Sequence, residues 1–228
     1  MARALLVFAK VPKPGQVKTR LTPTLSPAEA ARVYTAFLRD ALRQYARLDA
    51  AVRLYVAPPL PDDGLVGQPT DISVHEQEGE RLGARMRNAL AESFDAGYEH
   101  LAVVGTDHPT LPLSFIEKGF DVLESEPSIC IGPSADGGFY LLGMNAPFPR
   151  LFDDMSYSHD HVFVDTLERA HTTGAAVTVL PEWYDVDTPG ALRRMLGDLE
   201  QSTVEAPNTR RIVATLNLND RVPTASAD

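Results

Sequence analysis

Short apolar runs alternate with segments of helical period along the 228-residue chain, and this alternation constrains the fold more than any single motif. Residues 3–9 form an apolar run too short for a helix and read as a buried central strand. Ser26-Pro27-Ala28-Glu29 then offers a capping box with proline at the first helical position. Val33, Phe37, Ala41, Leu42, Tyr45 and Leu48 continue at helical spacing, which predicts a helix over 26–48. Strands are expected over 52–57 and 72–75, separated by a loop too rich in Pro, Gly and Asp to be regular. A helix from Glu80 with Gly97 as its stop precedes a strand over 101–104. A helix over 112–123 follows, then strands over 129–132 and 139–144 that read as possible neighbours, a helix over 160–171 and a strand over 177–180. Thr188-Pro189 opens a helix carrying Leu192, Met195, Leu196 and Leu199, and 208–216 reads as a short last helix.

This order predicts one α/β domain over 1–221, with a mostly parallel central sheet, helices on both faces and a flexible tail over 222–228. In such sheets ligands bind beyond the carboxyl ends of the strands. A net charge of −10 argues against a nucleic-acid surface. No apolar run approaches the roughly 18 to 20 residues that span a bilayer, and residues 4–9 are too short for a signal peptide, so no membrane association and a cytoplasmic location are the expectation. The lone Cys130 excludes an internal disulfide and is expected in the core.

Four stretches carry chemistry-bearing residues. Lys10, Lys13, Lys18 and Arg20 crowd into a loop stiffened by Pro12 and Pro14 and opened by Gly15. A local basic cluster on an acidic chain suggests a small anionic ligand, with the backbone near a glycine able to approach phosphate closely; the alternative is a solvated basic loop. Neither GxxxxGK[ST] nor GxGxxG is present. Asp107 follows a strand end directly, where one or two carboxylates can hold Mg²⁺ (or Mn²⁺) together with substrate phosphates. Asp187 is the second candidate, although Asp before Thr188-Pro189 also suits helix capping. Asp136-Gly137-Gly138 reads either as a turn between two strands or as a place where substrate meets the backbone and Asp136 binds its hydroxyl. Gly83 interrupts a helical pattern at a cost of about 1 kcal/mol relative to alanine, which suits a base or ribose packed on it with Arg85 nearby. Asp153, Asp154, His159, Asp160, His161 and Asp165 cluster in sequence, but histidines two apart at a helix start do not face one another.

Taken together, Phe8-Ala-Lys-x-Pro-x-Pro-Gly-x-Val-Lys-Thr-Arg-Leu21, Gly105-Thr-Asp-x-Pro-x-Leu111, Gly132-Pro-x-x-Asp-Gly-Gly-Phe-Tyr-Leu-Leu-Gly143 and Asp185-Val-Asp-Thr-Pro189 resemble the DUF2064 family over about residues 3–216. That family is glycosyltransferase-like, with members linked to arsenosugar biosynthesis, and belongs to the nucleotide-diphospho-sugar transferase superfamily with its GT-A fold. The resemblance implies that Lys10, Lys18 and Arg20 meet nucleotide phosphates and that Asp107 and Asp187 hold the metal. It also implies that Gly83 lies near the nucleoside, with Asp136 and Gly137 on the acceptor side. Two departures stand out. Thr106-Asp107-His108 carries one carboxylate where many glycosyltransferases of this fold have Asp-x-Asp, and Ser156-Tyr157-Ser158-His159 stands where relatives usually read Trp-Ser-Thr.

The expectation is therefore a Mg²⁺-dependent transferase that moves a sugar from a nucleotide-diphospho-sugar to a small acceptor. Lys18 and Arg20 would act on the leaving diphosphate, and Asp136 would be the base. The alternative is a nucleotidyltransferase similar to the guanylyltransferase of phospholactate, whose triphosphate suits four cations; a nucleotide-binding module without turnover is the third. Base, sugar, acceptor and oligomeric state are not specified by the residues.

Overall fold

The computed structural model describes residues 2–60, 72–124, 127–157, 159–201 and 203–222. Most of the polar loop before the third strand, Ser158 and the tail beyond Val222 lie outside the described residues. Strand β1 (Arg3–Ala9) leads to helix α1 (Pro27–Tyr45), followed by β2 (Ala51–Val56), β3 (Ser73–Glu76), α2 (Leu82–Asp95), β4 (His100–Val104), α3 (Leu113–Asp121), β5 (Ser128–Pro133) and β6 (Phe139–Met144). Then come α4 (Val162–His171), β7 (Ala176–Val179), α5 (Pro189–Gln201), α6 (Pro207–Thr215) and α7 (Leu218–Arg221). Among the described residues no helix is long and apolar enough to cross a membrane.

The strands form one sheet in the order β3-β2-β1-β4-β6-β5-β7. Strand β1 pairs in parallel with β2 on one side and β4 on the other, so the chain leaves β1 in both directions and opens a crevice at the carboxyl ends of β1 and β4. Strand β6 runs antiparallel to both β4 and β5. The five residues between β5 and β6 are too few for a crossover and allow only a reversal of direction.

Alternation along β1 distributes its side chains between two cores. Leu5, Val7 and Ala9 pack with Leu38, Leu42 and Tyr45 of α1 and with Ile116 and Phe120 of α3. Ala4 and Leu6 pack with Met86, Ala89 and Leu90 of α2 and Ala170 of α4. Helices thus cover both faces, as the order of elements requires. Cys130 is fully buried in the first core beside Gly119 and Gly143, with Sγ 3.4 Å from the Gly119 carbonyl, and burial pushes its thiol up to about 12.

The outer face of α1 carries the C-terminal helices. Ser26 accepts from the Glu29 amide at 3.3 Å, and the Glu29 carboxylate accepts from the Ser26 amide at 2.8 Å, completing the capping box. Fully buried Asp40 accepts from the Asn208 and Thr209 amides at 3.0 and 2.7 Å and so serves the first turn of α6 from another helix. Helix α7 was not foreseen. It is only four residues long and is entered through Asn217 at φ 50°, a conformation asparagine tolerates but no periodicity announces. Its Arg221 pairs with Glu29 at 2.7 Å.

Hydrogen bonds from Arg221 and from the Ser26 amide and hydroxyl hold the Glu29 carboxyl at about 2, against an ordinary 4.5. Because the folded state favours the ionised form, this stabilisation is complete above pH 4.5 and is lost as pH falls through 2. Glu29→Gln is expected to be less stable than wild type at pH 6, with the gap closing as the pH of urea denaturation is lowered from 4.5 toward 2.

Candidate active site

The loop after β1 is built to reverse and then plunge. Gln16 N–H donates to the Lys13 carbonyl at 3.0 Å across Pro14-Gly15, with Gly15 at φ 76°, the proline-then-glycine pattern of a type II turn. Val17 packs on Ala31 and Tyr34, and Leu21 is buried in a core formed by α1 and α5. Between these two anchors Lys18 adopts φ 49°, ψ 36°, and a single 3₁₀ turn over Thr19–Leu21 follows. A non-glycine residue in this region costs about 1 kcal/mol or more. The result is that the Lys18 side chain points inward, 2% exposed, past the rings of Tyr34 and Phe37.

Its ammonium lies 2.7 Å from Asp107 Oδ1 and 2.7 Å from Asp187 Oδ1. Lys18 donates a hydrogen bond to Asp187. Its approach to Asp107 is off the hydrogen-bond direction, so the buried Asp107 Oδ1 is ion-paired yet has no donor. Burial would depress the Lys18 pKa, but the two carboxylates together outweigh it and raise the pKa above 10.5. Both carboxylates reach the surface, 40% and 35% exposed, and their second oxygens have no hydrogen-bond partner among the described residues.

Residues 80 positions apart meet because the two loops are zipped together. Val186 N–H donates to the Asp107 carbonyl at 2.8 Å. Beside it, His108 Nδ1 is 3.2 Å from Asp185 Oδ1, and its Nε2 is 3.2 Å from the Tyr45 hydroxyl. His108, which stands where a second carboxylate was sought, is thus buried as a strut between the loops. Thr188 Oγ1 caps α5 by accepting from the Ala191 amide at 3.2 Å, which leaves the Asp187 side chain free for Lys18. Tyr34 Oη accepts the Lys10 amide at 2.8 Å and is 3.2 Å from Thr106 Oγ1, so α1 fixes both the loop after β1 and the end of β4. Burial, and then Asp107, push the Tyr34 phenol up to about 12.

Above the Lys18 triad opens a cleft of about 560 Å³ lined by Lys10, Thr19, Arg20, Tyr34, Gln77, Glu80, Arg85, Thr106, Asp107 and Asp187, among others. Lys10 and Arg20 make no ion pair among the described residues. At the far end Arg85 donates to the Gly79 carbonyl at 2.9 Å and lies 3.4 Å from Gln77 Oε1, while Gln77 Nε2 donates to the Tyr55 carbonyl at 3.0 Å. Tyr34, Thr19 and Gln77 were not singled out from the sequence. Tyr34 sits in a helical apolar stripe, and Gln77 belongs to a polar run without a motif.

Several expected ligand-binding positions lie elsewhere. Lys13 lines a groove with Pro58 and Pro59 that adjoins the cleft through Lys10 and Gln16, and Gly15 is an exposed turn residue. Lys18 is engaged by the carboxylates. Gly83 faces Tyr157, whose ring would stand 2.6 Å from a β-carbon there, so packing by itself requires the glycine. Gly137, at φ 88°, has the Asp160 carbonyl where a side chain would begin, and its own carbonyl accepts from Phe163 N–H at 2.8 Å, docking α4. Gly138 N–H donates to Asp136 Oδ1 at 3.0 Å within the turn, and Asp136 opens onto a smaller hollow beside the cleft. Among the described residues no group of three or more His, Cys, Asp or Glu is placed to hold a metal.

A Lys/Arg loop and an Asp pair at the switch point of such a sheet are features of a nucleotide-transferase fold, and the solved structures agree in fold. A cytidylyltransferase from Leptospira borgpetersenii serovar Hardjo-bovis is 11% identical, with 100% of this chain and 99% of that one covered at a TM-score of 0.57. A 4-diphosphocytidyl-2C-methyl-D-erythritol synthase is 15% identical, with 86% and 97% covered at 0.56. A protein from Desulfovibrio desulfuricans G20, provisionally described as a nucleotide-diphospho-sugar transferase, is 30% identical, with 97% of each chain covered at 0.86. Residues 41–159 match the family model described as uncharacterized protein conserved in bacteria, DUF2064. The chain belongs to the DUF2064 family. No curated protein matches it in sequence.

Removing the central cation leaves two carboxylates facing each other. Lys18→Met is expected to lower stability by about 2 kcal/mol, a value moderated by the solvent access of both acids. Adding Asp187→Asn should recover part of that loss by removing the like-charge repulsion, as read by urea denaturation of the single and double variants.

Proposed function

We propose that the cleft binds the diphosphate of a nucleotide-sugar and that the protein transfers the sugar to a small-molecule acceptor. The observation that carries this reading is the count of available cations. Of the four in the loop, Lys18 is held by Asp107 and Asp187 and Lys13 lies outside the cleft, leaving Lys10 and Arg20 to meet phosphate oxygens. Two loop cations without an ion pair among the described residues suit a diphosphate. The description of the Desulfovibrio protein supports the same choice.

The outer oxygens of Asp107 and Asp187 are hard donors without hydrogen-bond partners among the described residues, and two such carboxylates fit Mg²⁺ or Mn²⁺. Asp107 and Asp187 would hold the ion, which when bound supplies charge stabilisation to the departing diphosphate. Lys18 keeps the two acids together from the core side and presents their outer oxygens to the cleft. Lys10 and Arg20 neutralise the charge that develops on the diphosphate as the bond to the sugar breaks. Asp136, in the hollow that shares Arg20 and Asp187 with the cleft, takes the proton of the acceptor hydroxyl as its oxygen bonds to the sugar.

Incubation with Mg²⁺, each NTP and UDP-, GDP- and dTDP-sugars, beside hydroxylated and phosphorylated acceptors, is expected to release nucleoside diphosphate. Release of pyrophosphate alone would establish nucleotidyl transfer instead, and binding of nucleotide with neither product would leave a binding module. For the acids, Asp107→Asn is expected to weaken Mn²⁺ binding, measured by electron paramagnetic resonance, about tenfold or more. Unchanged Mn²⁺ affinity in a folded Asp107→Asn protein would refute the metal assignment.

A further inference from the structure

The hollow beside the cleft has a volume of about 290 Å³ and holds three acids, Asp136, Asp185 and Asp187, together with Arg20 and Arg194. By formal charge it is slightly acidic, and one oxygen of each acid is engaged within the protein. Asp187 receives the Lys18 ammonium, Asp185 faces His108 Nδ1 at 3.2 Å, and Asp136 Oδ1 accepts the Gly138 amide at 3.0 Å. The two guanidinium groups, by contrast, make neither an ion pair nor a hydrogen bond among the described residues. The free hydrogen-bond donors of the hollow are therefore those of the two guanidinium groups.

Arg194 is also preorganised. Its guanidinium carbon lies 3.9 Å from the centroid of the Tyr184 ring. That ring is buried, and its hydroxyl is engaged by Asp198 and, at 3.1 Å, by Thr110. Stacking on a fixed ring leaves the N–H edge of a guanidinium available, and that planar fork matches carboxylate and phosphate oxygens in pairs. The sequence shows Arg194 only as a polar position of α5. Its proximity to Arg20, 174 positions earlier, is a product of the fold.

We propose that this hollow binds the carboxylate or phosphate of an anionic acceptor, with Arg194 as its principal ligand and Arg20 shared between acceptor and nucleotide. This rests on the transferase reading for the word acceptor, but the anion site itself does not. Its chemistry selects hydroxy acids and sugar phosphates over neutral alcohols, with the acceptor hydroxyl directed toward Asp136 once the anion is held.

The test uses the intact protein and separates the two readings. Isotope-labelled protein is titrated with inorganic phosphate, 3-phosphoglycerate and glycerate while the Arg194 Nε–H and the amides of 188–191 are followed by NMR; UDP and GDP are titrated separately. Phosphate-bearing and carboxylate-only probes should both shift these signals saturably, the stronger one marking the preferred anion. Arg194→Ala should weaken that binding about tenfold or more, and Arg194→Lys, which keeps the charge but not the fork, should lie between. UDP and GDP affinity should be unchanged in Arg194→Ala. Equal anion affinity in Arg194→Ala, or displacement of inorganic phosphate by UDP or GDP, overturns the proposal, as does exclusive use of neutral acceptors in turnover. Anion binding through Arg194 without any nucleotide binding would instead sink the transferase reading and leave the anion site standing.

Discussion

The Lys18 ammonium sits 2.7 Å from each of two carboxylates that arrive from different loops, and the organisation of the cleft depends on that contact. Without a cation between them, Asp107 and Asp187 repel across the gap between the end of β4 and the approach to α5. The loop after β1 supplies the cation only because it turns at Pro14-Gly15 and then enters a left-handed conformation at Lys18 itself. Anchors on either side, Val17 and Leu21, offset the strain of that conformation by burial. The local backbone irregularity and the electrostatic centre are one feature.

Around it, hydrogen-bonded struts keep the geometry when charges change partners. Tyr34 ties Lys10 to Thr106, His108 ties Tyr45 to Asp185, and the Val186 amide ties the late loop to Asp107. Most of these groups come from α1 and from the ends of β4, elements packed into the main core. The site therefore rests on rigid parts of the sheet and helices even though its chemistry lies on loops.

How much of this was legible in the sequence follows from the range of the interactions. Strand and helix positions are set by local periodicity and capping, so the order of elements, both helical layers and even the β5–β6 pairing could be read directly. The loop after β1 announced itself through charge density and its proline-glycine turn, and Asp107 through its place after a buried strand. The fate of Lys18 was not legible, because a lysine in a basic loop gives no sign that it will be buried under two distant acids. Asp187 beside Thr188-Pro189 was ambiguous for the same reason, and only the Thr188 cap in the structure frees it. Glycines misled most. Gly83 and Gly137 are both required, but by protein neighbours, Tyr157 and the Asp160 backbone, and sequence cannot tell a close protein approach from a close ligand approach.

The contact between Gly83 and Tyr157 links two segments that also meet where Arg87 donates to Asp153 at 3.4 Å. One opens α2 beside the cleft, and the other lies in the stretch between β6 and α4. A ring seated where a β-carbon belongs makes the two positions a single packing choice. A chain of this fold that carries any side chain at the first must carry something smaller, or differently aimed, at the second. Variation at position 157 is thereby bound to variation at the mouth of α2. What reads as a plain linker is in effect a constraint on how α2 can open beside the cleft.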